Sequence, residues 1–289
     1  MNSGKGPRPA VGLVLSGGAA RGLAHAGVLS VLEDYKVPID LIVGASYGSI
    51  VAAYYAYSYT IEEMLKHAGG FRLWSIRDFR PPWTNFFSGE REERIFEQGL
   101  GDAKIEDLRI PLIMLAADLE REEPFLFERG KLSTAMRASA AFPGLFDPLR
   151  LGDSISVRTA RERGADLVIS CDVSVLSRIY KRRITSALMR WLVGRAAKKE
   201  AIEEKDSLRS LLRSTLRIIK KYRDSGTDAP DFLIEPLGGE IKPLRFRKVE
   251  DSFRLGREAA LRVIDPVVRN VCKKYQPQEI GKFSTLLCR

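Results

Sequence analysis

The chain has 289 residues, 45% of them hydrophobic and 29% charged, and a net charge of +10. This balance excludes an intrinsically disordered chain and allows one large domain, or one domain with a helical appendage. No apolar run is long enough for a membrane-spanning helix.

Residues 1–10, with Pro7 and Pro9, read as a flexible leader. The apolar run that follows ends in glycines and Arg21, so it lacks the form of a secretory signal, and a cytoplasmic protein is expected. Val11-Gly12-Leu13-Val14-Leu15, closed by Ser16-Gly17-Gly18, predicts a buried strand. From Gly22 to Tyr35, Leu23, Ala26, Val28, Leu29, Val31 and Leu32 fall on one helical face, and Pro38 ends that helix. Ile39 to Val43 predicts a second strand, and the Ala- and Tyr-rich stretch from Ser49 to Tyr59 a second helix. The opening is thus β-α-β-α, the pattern of a parallel sheet covered by helices.

Residues 60–110 are mixed. Trp74, Trp83 and Phe86-Phe87, around Pro81-Pro82, either line a cleft or pack a core. Pro111 to Leu119 predicts a third strand, and Lys131 to Ala141 a helix ended by Pro143-Gly144. Ala165 to Val173 and Asp231 to Ile234 predict two more strands. Val249 to Tyr275 reads as a helix or helix pair, followed by a tail over 276–289. Three dispersed cysteines, Cys171, Cys272 and Cys288, suggest inert thiols instead of a disulfide framework. No grouping of His and Cys suggests a metal site.

Two motifs carry chemistry. Gly44-Ala45-Ser46-Tyr47-Gly48 has the GxSxG form, a weak signal alone. Here it joins a strand to a helix, where the backbone turns sharply and neighbouring chains come close. Such a turn lifts the Ser46 hydroxyl above the sheet, at a helix N-terminus that favours negative charge. The second motif, Gly17-Gly18-Ala19-Ala20-Arg21-Gly22, also lies between strand and helix and exposes backbone N–H groups as an anion cradle. A serine hydrolase needs such donors where an oxyanion forms. A dinucleotide-binding loop is the rival reading. It requires an acidic residue at the end of the second strand, whereas Asp40 lies near its start.

Only His25 and His67 occur, both too early for a Ser-Asp-His order, and His25 sits inside a helix where a structural role is expected. A carboxylate acting directly on the hydroxyl is the remaining common base.

The run Leu15-Ser16-Gly17-Gly18-Ala19-Ala20-Arg21-Gly22-Leu23-Ala24-His25-Ala26-Gly27-Val28-Leu29, with Ile39-Asp40-Leu41-Ile42-Val43-Gly44-Ala45-Ser46-Tyr47-Gly48, resembles a patatin-like phospholipase. The resemblance continues in Ala116-Ala117-Asp118-Leu119, in Ala138-Ser139-Ala140-Ala141-Phe142-Pro143-Gly144-Leu145-Phe146, in Gly164-Ala165-Asp166-Leu167-Val168-Ile169 and in Leu255-Gly256-Arg257-Glu258-Ala259-Ala260. It implies a three-layer α/β/α sandwich with a mostly parallel sheet over 11–275, plus C-terminal helices. It also implies a Ser–Asp dyad that cleaves acyl esters of phospholipids, lysophospholipids or other lipids, with no metal or cofactor. Ser46 would be the nucleophile. Gly17, Gly18 and Ala19 would supply oxyanion amides, with Arg21 and Gly22 completing the loop. Family members often carry Gly where this chain has Ala19.

One departure matters. The family's catalytic aspartate sits in an Asp-Gly-Gly or Asp-Gly-Ala turn before the Gly-Ala-Asp-Leu strand. Here that interval, Leu149-Arg150-Leu151-Gly152-Asp153-Ser154-Ile155-Ser156-Val157-Arg158-Thr159-Ala160, is shorter than the family pattern and holds no Asp-Gly pair. Either the turn is missing from this chain, or the protein is an inactive lipid-binding or regulatory relative, or Asp153 substitutes as base.

Between Arg178 and Arg223 fifteen Lys or Arg face four Asp or Glu, a net of +11, so the rest of the chain is close to neutral. With Trp191, Leu192, Ile218 and Ile219 interspersed, the segment predicts a basic helical insertion with amphipathic character, suited to peripheral contact with an anionic membrane surface. A solvated helix face is the plainer reading. No motif or aromatic platform for specific nucleic-acid binding accompanies the charge. Surface binding predicts sedimentation with anionic liposomes that is lost at high salt. Equal competition by duplex DNA marks the charge as unspecific.

Overall fold

The structure is a computed structural model, in which residues 8–70, 90–118, 121, 123–140, 151–173, 229–236 and 249–273 are described. Six strands form one sheet: β1 (Val11–Leu15), β2 (Leu41–Ala45), β3 (Leu112–Asp118), β4 (Glu123–Phe127), β5 (Leu167–Cys171) and β6 (Phe232–Ile234), in the order β4-β3-β2-β1-β5-β6. All pairings are parallel except β3 with β4, a hairpin in which Asp118 faces Glu123. The helices are α1 (Ala24–Asp34), α2 (Tyr47–Ala56), α3 (Ile61–Gly70), α4 (Glu90–Leu100), α5 (Leu132–Ala140), α6 (Leu151–Glu162), α7 (Val249–Leu261) and α8 (Ile264–Lys273).

Alternation of side chains along each strand produces the layers. Leu13, Leu15, Ile42, Met114 and Ile169 face a core filled by α1, α2, α5 and α7. Val14, Val43, Ile113 and Val168 face the other way, against Ile155, Val157 and Ala160 of α6. Both faces of β1, β2 and β5 are therefore covered, which is why these strands read as unbroken apolar runs. The result is the expected three-layer α/β/α arrangement.

Several details differ from the sequence expectations. The first helix begins as a 3-10 turn, Ala19–Leu23, before α1. Helices α3 and α4 form within the stretch that reads as mixed, and β4 adds an antiparallel edge strand. The interval expected to be a shortened loop is α6, because Ile155, Val157 and Ala160 bury themselves under the sheet. The C-terminal segment resolves into the pair α7 and α8. Cys171 is a buried free thiol, as expected. At the end of the leader, Arg8 pairs with Asp40, and the Ala10 amide donates to Asp166 Oδ2 at 3.0 Å. Among the described residues no helix is long and apolar enough to cross a membrane. Trp74, Trp83, Phe86, Phe87, the basic segment 178–223 and the tail 276–289 lie outside the described residues.

Helices α1 and α7 touch backbone to backbone. A Cβ on Gly27 would stand 2.0 Å from the Phe253 carbonyl oxygen, and one on Gly256 would stand 1.9 Å from that of Ala24. Arg257 then reaches Ser30 Oγ at 2.7 Å and Asp34 Oδ2 at 2.9 Å. Because backbone cannot yield as a flexible side chain does, Gly256→Ala is expected to lower stability by about 1–3 kcal/mol or more. An unchanged urea midpoint in that variant would contradict the close packing.

Candidate functional site

Strands β1 and β2 run parallel with Leu15 opposite Gly44, so the loops that follow them leave from the same edge of the sheet. Strand β5 pairs on the other side of β1, with Cys171 opposite Leu15. The first strand is therefore the point where successive crossovers turn in opposite directions. In open parallel sheets the crevice at the carboxyl ends of such strands is where ligands sit.

Ser46 occupies the turn from β2 into α2, with φ 51 and ψ −124. This left-handed conformation is costly for a residue with a Cβ, about 1–3 kcal/mol, and persists only where its surroundings impose it. Glycine makes the turn possible on both sides. A Cβ at Gly44 would meet the Ser49 Cα at 2.7 Å, and one at Gly48 would meet the Leu15 and Ser16 carbonyl oxygens at 2.3 and 2.6 Å. The Ser46 carbonyl accepts from the Ser49 amide at 2.9 Å, its amide donates to Ser139 Oγ at 2.9 Å, and its hydroxyl has no hydrogen-bond partner among the described residues. Ala45 and Tyr47 are buried, and burial pushes the Tyr47 phenol far above its usual range.

The loop after β1 is braced at Ser16. Its amide donates to the Cys171 carbonyl at 3.1 Å, its hydroxyl accepts from the Val173 amide at 3.0 Å and lies 3.4 Å from Asp172 Oδ1. Its carbonyl lies 2.8 Å from His25 Nε2. A carbonyl can only accept, so Nε2 carries the proton and Nδ1 accepts from the Cys171 thiol at 3.1 Å. His25 is fully buried with both ring nitrogens engaged, which makes it structural, as its helical position suggests. Beyond Ser16, the buried Gly17 and Gly18 lead into the 3-10 turn that starts at Ala19. Among the described residues the amides of Gly17 and Gly18 make no hydrogen bond. Arg21, 3% exposed, directs Nη1 to the Val173 carbonyl at 3.5 Å, and Gly22 lies against the Tyr47 ring.

The remaining candidates separate clearly. Asp40, at the amino edge, binds Arg8 and the Val11 amide, and so cannot hold a ribose at the opposite edge. His67 stacks on Tyr54, two turns along α2 from Ser46. Asp153 belongs to the first turn of α6, and its side chain lies outside the described residues. Sequence reasoning gave no role to Ser16, Asp172 or Ser139. Ser16 and Ser139 carried only the signal of adjoining the glycine loop and the Pro143-Gly144 break. Nor did it single out Glu92, on the first turn of α4, whose carboxyl burial pushes up to about 7 against the pull of Arg137.

Burial holds His25 well below its usual 6.5, at about 4, while the Ser16 hydrogen bond and the Asp172 charge oppose the shift. Between these values the unfolded chain binds a proton that the folded one refuses. Stability therefore falls as pH drops from 6.5 toward about 4. His25→Gln should flatten that slope in urea unfolding followed across this range, and an identical slope would show that His25 contributes nothing to it.

The patatin-like phospholipase model matches residues 13–166, just over half of the chain. The lysophospholipase NTE1 of Candida albicans is 32% identical over 180 residues, which span 57% of this chain and 13% of that protein. The lysophospholipase nte1 of Aspergillus fumigatus is 31% identical over 180 residues, 57% of this chain and 12% of that protein. The match thus spans about an eighth of the length of these relatives. The crystal structure of VipD from Legionella pneumophila aligns with a TM-score of 0.44 at 13% identity, covering 95% of this chain and 70% of that one. With its glycine loop and its GxSxG turn both inside the matched region, the chain belongs to the patatin-like phospholipase family.

Proposed function

We infer that this protein is a serine acyl-ester hydrolase of lipids, of the phospholipase A or lysophospholipase type. One observation carries the reading: a strained serine, its hydroxyl without a partner among the described residues, stands at the sheet edge beside a glycine loop whose Gly17 and Gly18 amides are likewise unpaired among them. Ser46 Oγ attacks the acyl carbonyl, and the carbonyl oxygen becomes an oxyanion. The N–H groups of Gly17, Gly18 and Ala19 receive that charge, each donor being worth about 3 kcal/mol of barrier in comparable sites. The Ser46 hydroxyl proton passes to the base and from it to the departing alcohol as the intermediate collapses, leaving an acyl ester on Ser46 that water then cleaves to the free acid. Arg21 holds the loop toward β5, and no metal or cofactor enters any step.

The resemblance implies an aspartate as base, but the family's Asp-Gly turn is absent from the interval 149–160, so the base is unassigned and Asp153 is the one acidic residue there. The buried, doubly bonded His25 is excluded from the role by its geometry. The substrate class follows the family and the relatives' names, so a phospholipid or lysophospholipid is proposed. The basic segment 178–223 would hold the enzyme against anionic headgroups on the cytoplasmic side.

A second reading has its own support. The interval before β5 holds no Asp-Gly pair and forms α6, which favours a lipid-binding or regulatory protein without turnover. Hydrolysis of a short-chain nitrophenyl ester separates the two. The enzyme reading predicts turnover that Ser46→Ala lowers by at least about a thousandfold. It also predicts labelling of Ser46 by a fluorophosphonate. Equal rates in the two proteins support the lipid-binding reading instead.

A further inference from the structure

Ser139 lies 93 residues from Ser46 in sequence, on α5, yet its hydroxyl is the hydrogen-bond acceptor of the Ser46 amide. It is 5% exposed. Its Oγ stands 2.6 Å from the Leu115 carbonyl, 2.9 Å from the Ser46 nitrogen and 2.8 Å from Ser49 Oγ. A hydroxyl has one proton and two acceptor positions. The Leu115 carbonyl can only accept, so the single Ser139 proton goes there. Ser46 N–H and Ser49 O–H must both donate to Ser139, which fills every hydrogen-bonding position of the group. Donation to Leu115 also polarises the oxygen and strengthens what it accepts.

This network ties four elements at one atom: α5 itself, β3 through Leu115, the turn through Ser46, and α2 through Ser49. Its consequence falls on the strained residue. On the carboxyl side of Ser46, the Ser49 amide holds its carbonyl at 2.9 Å. On the amino side, the Ser139 hydroxyl holds its amide. Each peptide plane flanking the Cα is thus fixed, and only Oγ is left without a partner among the described residues. The Ser46 amide is also withdrawn from the reacting side, so oxyanion donors must come from elsewhere, in keeping with the unspent amides of the glycine loop.

We propose that Ser139 is a positioning residue whose hydroxyl holds Ser46 in its strained conformation and so aims the nucleophile; the proposal rests on the reading of Ser46 as nucleophile. Its effect is on the rate of acyl transfer and not on substrate binding. Ser139→Ala should lower both kcat on a nitrophenyl ester and the rate constant of fluorophosphonate labelling by about tenfold to a hundredfold, the scale of a small misplacement of reacting groups. KM should stay within about twofold, since no substrate contact is lost. Ser139→Cys keeps the side-chain shape while weakening the acceptor, and should show the same fall even if the alanine variant fails to fold. Ser30→Ala removes a buried hydroxyl on α1 that is bonded to Gly27 and Arg257, away from Ser46, and should cost stability with little loss of kcat.

Wild-type labelling combined with unchanged rates in both Ser139 variants overturns the proposal. So does an equal loss of kcat in Ser30→Ala, which would make the effect one of general packing. Failure of the wild type itself to label or turn over brings down the hydrolase reading, and this inference with it.

Discussion

Gly48 rests on the carbonyl oxygens of Leu15 and Ser16, and that contact between β1 and the start of α2 governs the candidate site. Any side chain at position 48 would displace backbone, so the approach exists only because the residue is glycine. The contact sets the turn after β2 directly beside the loop after β1. Parallel pairing puts both loops at one edge, and the glycine removes the bulk that would hold them apart.

The same Ser16 carbonyl accepts a hydrogen bond from His25 Nε2–H, so one oxygen joins helix α1, the end of strand β1 and the turn carrying Ser46. Around it the polar groups are arranged to stay uncharged or paired. Burial holds His25 neutral, with a pKa of about 4. Its Nδ1 accepts a hydrogen bond from the Cys171 thiol, and Asp172 lies against the Ser16 hydroxyl. A rigid, low-dielectric base beneath the loop suits the oxyanion role proposed for it, because preorganised donors need not reorient as charge develops.

Rigidity also has to offset strain. Ser46 is one of three non-glycine residues with positive φ among those described, and it sits at the turn from β2 into α2. It is restrained by hydrogen bonds on both sides and by close backbone contacts at Gly44 and Gly48. Farther out, the Gly27–Gly256 contact clamps α7 onto α1, whose His25 supports the loop. The C-terminal helices are thereby mechanically continuous with the site despite their distance along the chain.

The sequence by itself determined the strands β1, β2 and β5, the parallel layout and the identity of both loops. These depend on local signals: unbroken apolar runs, glycine pairs at strand ends, and a serine flanked by glycines. Only the tertiary structure decided the rest, because the deciding contacts are remote. Helix α6 stands where a loop was expected, since its apolar residues found the second face of the sheet, which no window along the chain can reveal. Strand β4 is short and half exposed, so it carries little pattern of its own and forms by pairing with β3. Ser139 looked like one small residue among several in Ala138-Ser139-Ala140-Ala141, and gained a partner only when α5 packed across the end of β3. Propensity is a property of neighbours in sequence. A hydrogen bond between residues 46 and 139 is a property of the packed layers, and it exists only once they have closed.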